Sequence, residues 1–64
     1  MYTQTALEPH MRPLAHILVV DDNSDIRSML KSFLSHENYR VEVAGDAEQA
    51  LKLYAENKFD IILC

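Results

Sequence analysis

Two adjacent carboxylates, Asp21 and Asp22, follow directly on four consecutive apolar residues, Ile17, Leu18, Val19 and Val20. A short, continuously apolar run fits a strand covered on both faces, as in a parallel sheet, and the polar residues after it mark the strand's carboxyl end. Ligands of open α/β sheets sit outside that end. The pair is therefore placed to meet something positive, and a hard cation with oxygen ligands is the natural candidate. A solvated acidic turn is the plainer alternative.

The elements that must position the pair can be read in order. Asn23 or Ser24 caps a helix by accepting hydrogen bonds from the free amides of its first turn, and Asp25 suits the positive end of the dipole. Ile26, Met29, Leu30, Phe33 and Leu34 then form one apolar helical face, with Arg27, Ser28, Lys31, Ser32 and Ser35 on the wet side. Asn38 is a left-handed terminator for this helix. Residues 40–44 alternate, Val41 and Val43 against Arg40 and Glu42, which suits an edge strand. Gly45 breaks that strand, and Asp46 with Gln49 makes a capping-box-like start for a second helix. Its apolar side is Ala47, Ala50, Leu51, Tyr54 and Ala55, with Glu48 and Lys52 paired outside. Phe59, Ile61, Ile62, Leu63 and Cys64 begin a third strand, apolar enough to be central. Phe33 and Tyr54 are expected in the core.

The resulting fold class is α/β, in the order βαβαβ. Its connections are too long for hairpins and suit helical crossovers, so the strands are expected to be parallel. With the alternating strand at the edge, right-handed crossovers give the strand order 2-1-3 and put the helices on opposite faces. The order reverses between strands 1 and 3, and this opens a crevice that Asp21 and Asp22 border.

Composition bounds the alternatives. Hydrophobic residues make up 48% of the chain and charged residues 25%, with a formal net charge of -4, so the sequence is not disordered by composition. The six basic residues are scattered, which lacks the footprint of a nucleic-acid surface. No apolar run approaches a membrane span, and the first residues lack a secretory layout, so no membrane partner and a cytoplasmic location are expected. Cys64 is the only cysteine, so no disulfide staples the chain. Residues 1–15, with Pro9 and Pro13, are read as a flexible N-terminal leader, and residues 16–64 as a partial domain. At 64 residues the chain is short for an autonomous core, and its last strand is followed by no turn or cap. It reads as truncated after strand 3.

The stretches ILVVDDNSDIRSML, VEVAGDAEQALKLY and FDIILC together resemble the receiver domain of bacterial response regulators, the two-component proteins that take a phosphoryl group from a histidine onto an aspartate. The resemblance covers about residues 16–64 and implies a flavodoxin-like doubly wound parallel sheet. It implies that Asp21 and Asp22 bind Mg²⁺ together with a phosphoacceptor aspartate. That acceptor is expected immediately after Cys64, so no phosphoacceptor and no catalytic residue fall within this chain, and Mg²⁺ binding should be weak or absent. The implied partner of the full-length parent is a histidine kinase or phosphotransfer protein, met near Arg27, Met29 and Lys31. Asn38 and Ala47 stand where such domains often have glycine, which touches turn geometry alone.

The function expected is thus the N-terminal part of a phosphorelay receiver domain, not an enzyme. The alternative is a non-phosphorylatable receiver-like interaction fragment that self-associates through the exposed edge of strand 3. A phosphohydrolase with Asp21 as nucleophile would want a second acid where Asn23 stands. A calcium loop fails at Ile26 and Ser32, and no glycine-rich turn supports a dinucleotide site. The histidines match no metal-ligand spacing.

Overall fold

Three apolar segments form strands, and two amphipathic segments cross between them. The computed structural model describes residues 13–64; positions 1–12, most of the expected leader, lie outside the described residues. The elements run β1 (His16–Val20), α1 (Ser24–His36), β2 (Arg40–Ala44), α2 (Ala47–Glu56) and β3 (Ile61–Leu63). They make a three-stranded sheet of order β2-β1-β3, with both pairings parallel. This is the expected α/β topology, the flavodoxin-like arrangement as far as β3.

Successive strand residues face opposite sides, so β1 serves two layers. Ile17 and Val19 join Val41 in a buried cluster on which Leu30 and Leu34 of α1 pack, with Ala15, Tyr39 and Val43 at its margin. Leu18 and Val20 face the other way, toward Ala50 of α2. Leu18 and Val19 are each 1% exposed, which makes the middle of β1 the centre of the molecule.

Each helix is bounded by the residues the sequence nominates. The Asn23 side chain accepts from the amides of Asp25 and Ile26, at 2.9 and 3.1 Å, and is the N-cap of α1. At the other end Asn38 has φ 71. The Tyr39 amide donates to the Leu34 carbonyl and the Asn38 amide to the Ser35 carbonyl, each at 3.1 Å, the double closure of a Schellman motif. Asp46 caps α2 by accepting from the Gln49 amide at 2.8 Å. Gln49 returns the contact to the amide of Gly45, one residue earlier than in the usual reciprocal box.

The structure departs from the sequence reading at several residues. β3 starts at Ile61, because Phe59 turns onto the His16 ring, with centroids 4.4 Å apart, and Asp60 bonds the backbone of His16. Phe33 and Tyr54 are not core residues; they are 61% and 57% exposed. Both helices pack on β1 and β2 and neither reaches β3, so apolar positions on that side, Met29 and Leu51 among them, stay uncovered. Glu48 and Lys52 do not close to ion-pair distance. Leu14 and Ala15 are tied to β2 and its approach by hydrogen bonds to Asn38 and Arg40.

Candidate functional site

Asp21 and Asp22 occupy the turn between β1 and α1, at the carboxyl end of the central strand. Asp21 is half-buried and still belongs to the sheet, because its amide donates to the Ala44 carbonyl of β2 at 3.1 Å. Its Oδ1 accepts from the Asn23 amide at 2.9 Å, closing an Asx turn around Asp22. Asp22 is exposed and has no side-chain partner among the described residues. One acid is therefore built into the scaffold while its neighbour projects into solvent.

The turn is held at both ends. Upstream, β1 lies between two parallel partners. Downstream, Asn23 caps α1 with its side chain, and its carbonyl accepts from the Arg27 amide at 3.0 Å. The short spacing from strand to cap leaves Asp22 as the one residue without a secondary-structure bond to either side.

Arg27 departs from its expected place on the wet face of α1. Its side chain is half-buried and doubles back, and Nη1 donates to the Asp21 carbonyl oxygen at 2.6 Å. The guanidinium lies against Gly45, where an added Cβ would come within 2.9 Å of Nη1. A signal was present in the sequence. A cation in the first helical turn opposes the dipole, which hints at a local acceptor without identifying the Asp21 carbonyl or the space beside Gly45.

The register fixes what can face the acids. Val19 pairs with Leu63 of β3 and Val20 with Ala44 of β2, so the carboxyl ends of all three strands lie together. As a donor set, two neighbouring aspartates with one side open to water fit Mg²⁺, which takes few protein carboxylates and keeps several waters. They do not make a cage: among the described residues no group of three or more His, Cys, Asp or Glu gathers to hold a metal. No helix among those residues is long and apolar enough to cross a membrane.

His16 marks the opposite end of β1. Its Nδ1 donates to the Lys58 carbonyl at 2.9 Å, and Nε2 lies 3.5 Å from Glu42 Oε2. It ties β1 to Glu42 in the middle of β2 and to the segment just before β3, a structural role that ligand spacing could not reveal.

Comparison with known proteins agrees with this geometry. The sequence profile of the response regulator receiver domain matches residues 17–64. The chain is 38% identical over 48 residues to the probable transcriptional regulator ycf27 of Cyanidium caldarium, a match covering 75% of this chain and 19% of that protein. It is 40% identical over 47 residues to the transcriptional regulatory protein ResD of Bacillus subtilis, covering 73% and 20%. To the response regulator MprA of a Mycobacterium species it is 45% identical over 47 residues, again covering 73% and 20%. The matched segment thus spans about a fifth of each of these relatives. No solved structure gives a significant match. A parallel 2-1-3 sheet, an acid pair at the end of its central strand and a profile match from Ile17 to the last residue converge on one assignment: the chain belongs to the receiver domain family of two-component response regulators.

Proposed function

We propose that residues 16–64 are the part of a phosphorelay receiver domain that supplies its metal-binding acids, Asp21 and Asp22. The observation that carries this reading is the parallel register of β1 and β3. Val19 pairs with Leu63, so two residues further on the position after Cys64 falls opposite Asp21. That is where the family's phosphoacceptor aspartate is expected, and the acceptor itself is not among these residues. Bound there, Mg²⁺ would offset the repulsion between an incoming phosphoryl group and the acidic crevice. Asp21 and Asp22 hold the cation, Asn23 orients the Asp21 carboxylate through its amide, and the capped α1 keeps the turn from relaxing.

The partner that fits is a histidine kinase or phosphotransfer protein of the cytoplasm, acting on the full-length parent. The chain of 64 residues is not an enzyme and takes no phosphoryl group itself. Treatment with acetyl phosphate and Mg²⁺, followed by intact mass, should show no base-labile acyl phosphate. A phosphoryl gain on Asp21 or Asp22 would overturn the assignment of roles.

A second reading is favoured by one observation. Ile61, Ile62 and Leu63 are 40–48% exposed on a strand with a free edge. Such a strand supports a receiver-like fragment that acts by self-association.

A further inference from the structure

We propose that Arg27 is the positioning residue of the acid pair: its guanidinium holds the peptide that joins Asp21 to Asp22, and Gly45 is the space that admits it. The proposal rests on the magnesium reading above. Arg27 is the fourth residue of α1, and helical side chains lean toward the amino end, so its long stem reaches back over the first turn. Nη1 meets the Asp21 carbonyl oxygen at 2.6 Å, a short charge-assisted bond. That oxygen belongs to the peptide plane whose other side is the Asp22 amide. Fixing it sets the direction in which the second carboxylate leaves the chain.

Gly45 supplies the independent observation. Its φ is not positive, so the backbone of the β2–α2 turn does not itself require glycine. What an alanine methyl would meet is Arg27: Nη1 at 2.9 Å, Cζ at 3.3 Å and Nη2 at 3.6 Å. The neighbouring Ala44 carbonyl bonds the Asp21 amide at 3.1 Å. The guanidinium is thus wedged between the turn after β2 and the end of β1. It holds Asp21 from the carbonyl side while β2 holds it from the amide side.

The test is a Mg²⁺ titration of the isotopically labelled chain, followed by the amide resonances of residues 21–23, in the wild type, Arg27→Lys and Gly45→Ala. Both variants keep a positive charge at position 27, so electrostatic repulsion of the cation is not the variable. Lysine lacks the planar fork that reaches the carbonyl while packing on Gly45. The alanine methyl displaces only the far end of a flexible side chain. Each variant should shift amides 21–23 before any Mg²⁺ is added, leave the amides of β1, β2 and α2 in place apart from the immediate neighbours and hydrogen-bond partners of the substituted residue, and raise the Mg²⁺ midpoint about tenfold. If Arg27→Lys fails to fold, Gly45→Ala decides, because it retains the arginine. A wild-type response that Gly45→Ala retains unchanged overturns the role of Arg27 alone, and loss of dispersion across the whole spectrum in both variants overturns it in favour of a general structural brace. A wild type whose amides 21–23 ignore Mg²⁺ fits the weak or absent binding expected of a chain without the acceptor; the Mg²⁺-free spectra then decide, and amides 21–23 that stay unmoved in Arg27→Lys and Gly45→Ala overturn the role of Arg27.

Discussion

Asp60 and His16 exchange a reciprocal pair of hydrogen bonds: the Asp60 amide donates to the His16 carbonyl at 2.8 Å, and the His16 amide donates to Asp60 Oδ2, also at 2.8 Å. The side chain of Asp60 thereby extends the β1–β3 ladder one step below its first backbone pair, Ile17 with Ile61. The His16 ring adds its bond to Lys58 and its contact with Phe59. Since neither helix packs on β3, this junction and the ladder are what hold the strand.

Asp60→Ala should therefore loosen β3 selectively. Loss of a charge-assisted acceptor costs about 1–2 kcal/mol. Hydrogen exchange at the His16 and Ile61–Leu63 amides should accelerate by about five- to thirtyfold, while α1 keeps its protection. Asp60→Asn keeps an acceptor oxygen and should show a smaller effect. Uniform acceleration across both helices would contradict the picture.

Asn23→Ala should cost about 1 kcal/mol, because two first-turn amides lose their acceptor. Asn23→Asp and Asn23→Ser restore the cap and should recover most of the loss. Helical circular dichroism against urea is the measurement, and equal stability of the alanine and aspartate variants is the outcome that would count against it.

At position 38 the sign should depend on the side chain. With φ 71, Asn38→Gly removes a steric cost, whereas Asn38→Val adds one of about 1–2 kcal/mol. Melting temperatures should place valine well below both asparagine and glycine.

Asp22→Asn should abolish the Mg²⁺-dependent shifts of residues 21–23 and leave the fold untouched, since Asp22 is exposed and makes no side-chain hydrogen bond among the described residues. Asp21→Asn should also weaken Mg²⁺ binding, yet keep the Asx turn, because an amide oxygen can still accept from the Asn23 amide.

Ile62→Lys places a charge on the uncovered strand, beside Leu51 and Tyr54 across an apolar groove of ≈ 410 Å³. If the chain self-associates through that surface, sedimentation should show a shift toward monomer. No change in a wild type that is itself associated would move the interface elsewhere.

Much of this was legible in the residues. The four apolar positions before Asp21, the alternation around Val41 and the caps at Asn23 and Asp46 each follow from local rules of period and hydrogen bonding, and together they dictate a parallel 2-1-3 sheet. What stayed hidden depends on contacts across the sequence. The periodicity that puts Phe33 and Tyr54 on apolar faces says nothing of how far each face is covered, and here the cover stops at β1. Arg27 has the pattern of a solvated position, because helical spacing cannot show that Gly45 has left room for its guanidinium. The same limit applies to His16, whose hydrogen-bond partners Lys58 and Asp60 lie more than forty residues away.

The placement of both helices over β1 and β2 gives the crevice two unequal walls. Asp21 and Asp22 ride on the wall that opens last, stitched to β2, α1 and Arg27. The facing wall, β3, is a three-residue strip held by its ladder to β1 and by the Asp60–His16 pair, with no helix behind it. The half of the crevice proposed to hold the cation is thus the braced half, and local opening of the strip is expected to leave it in place.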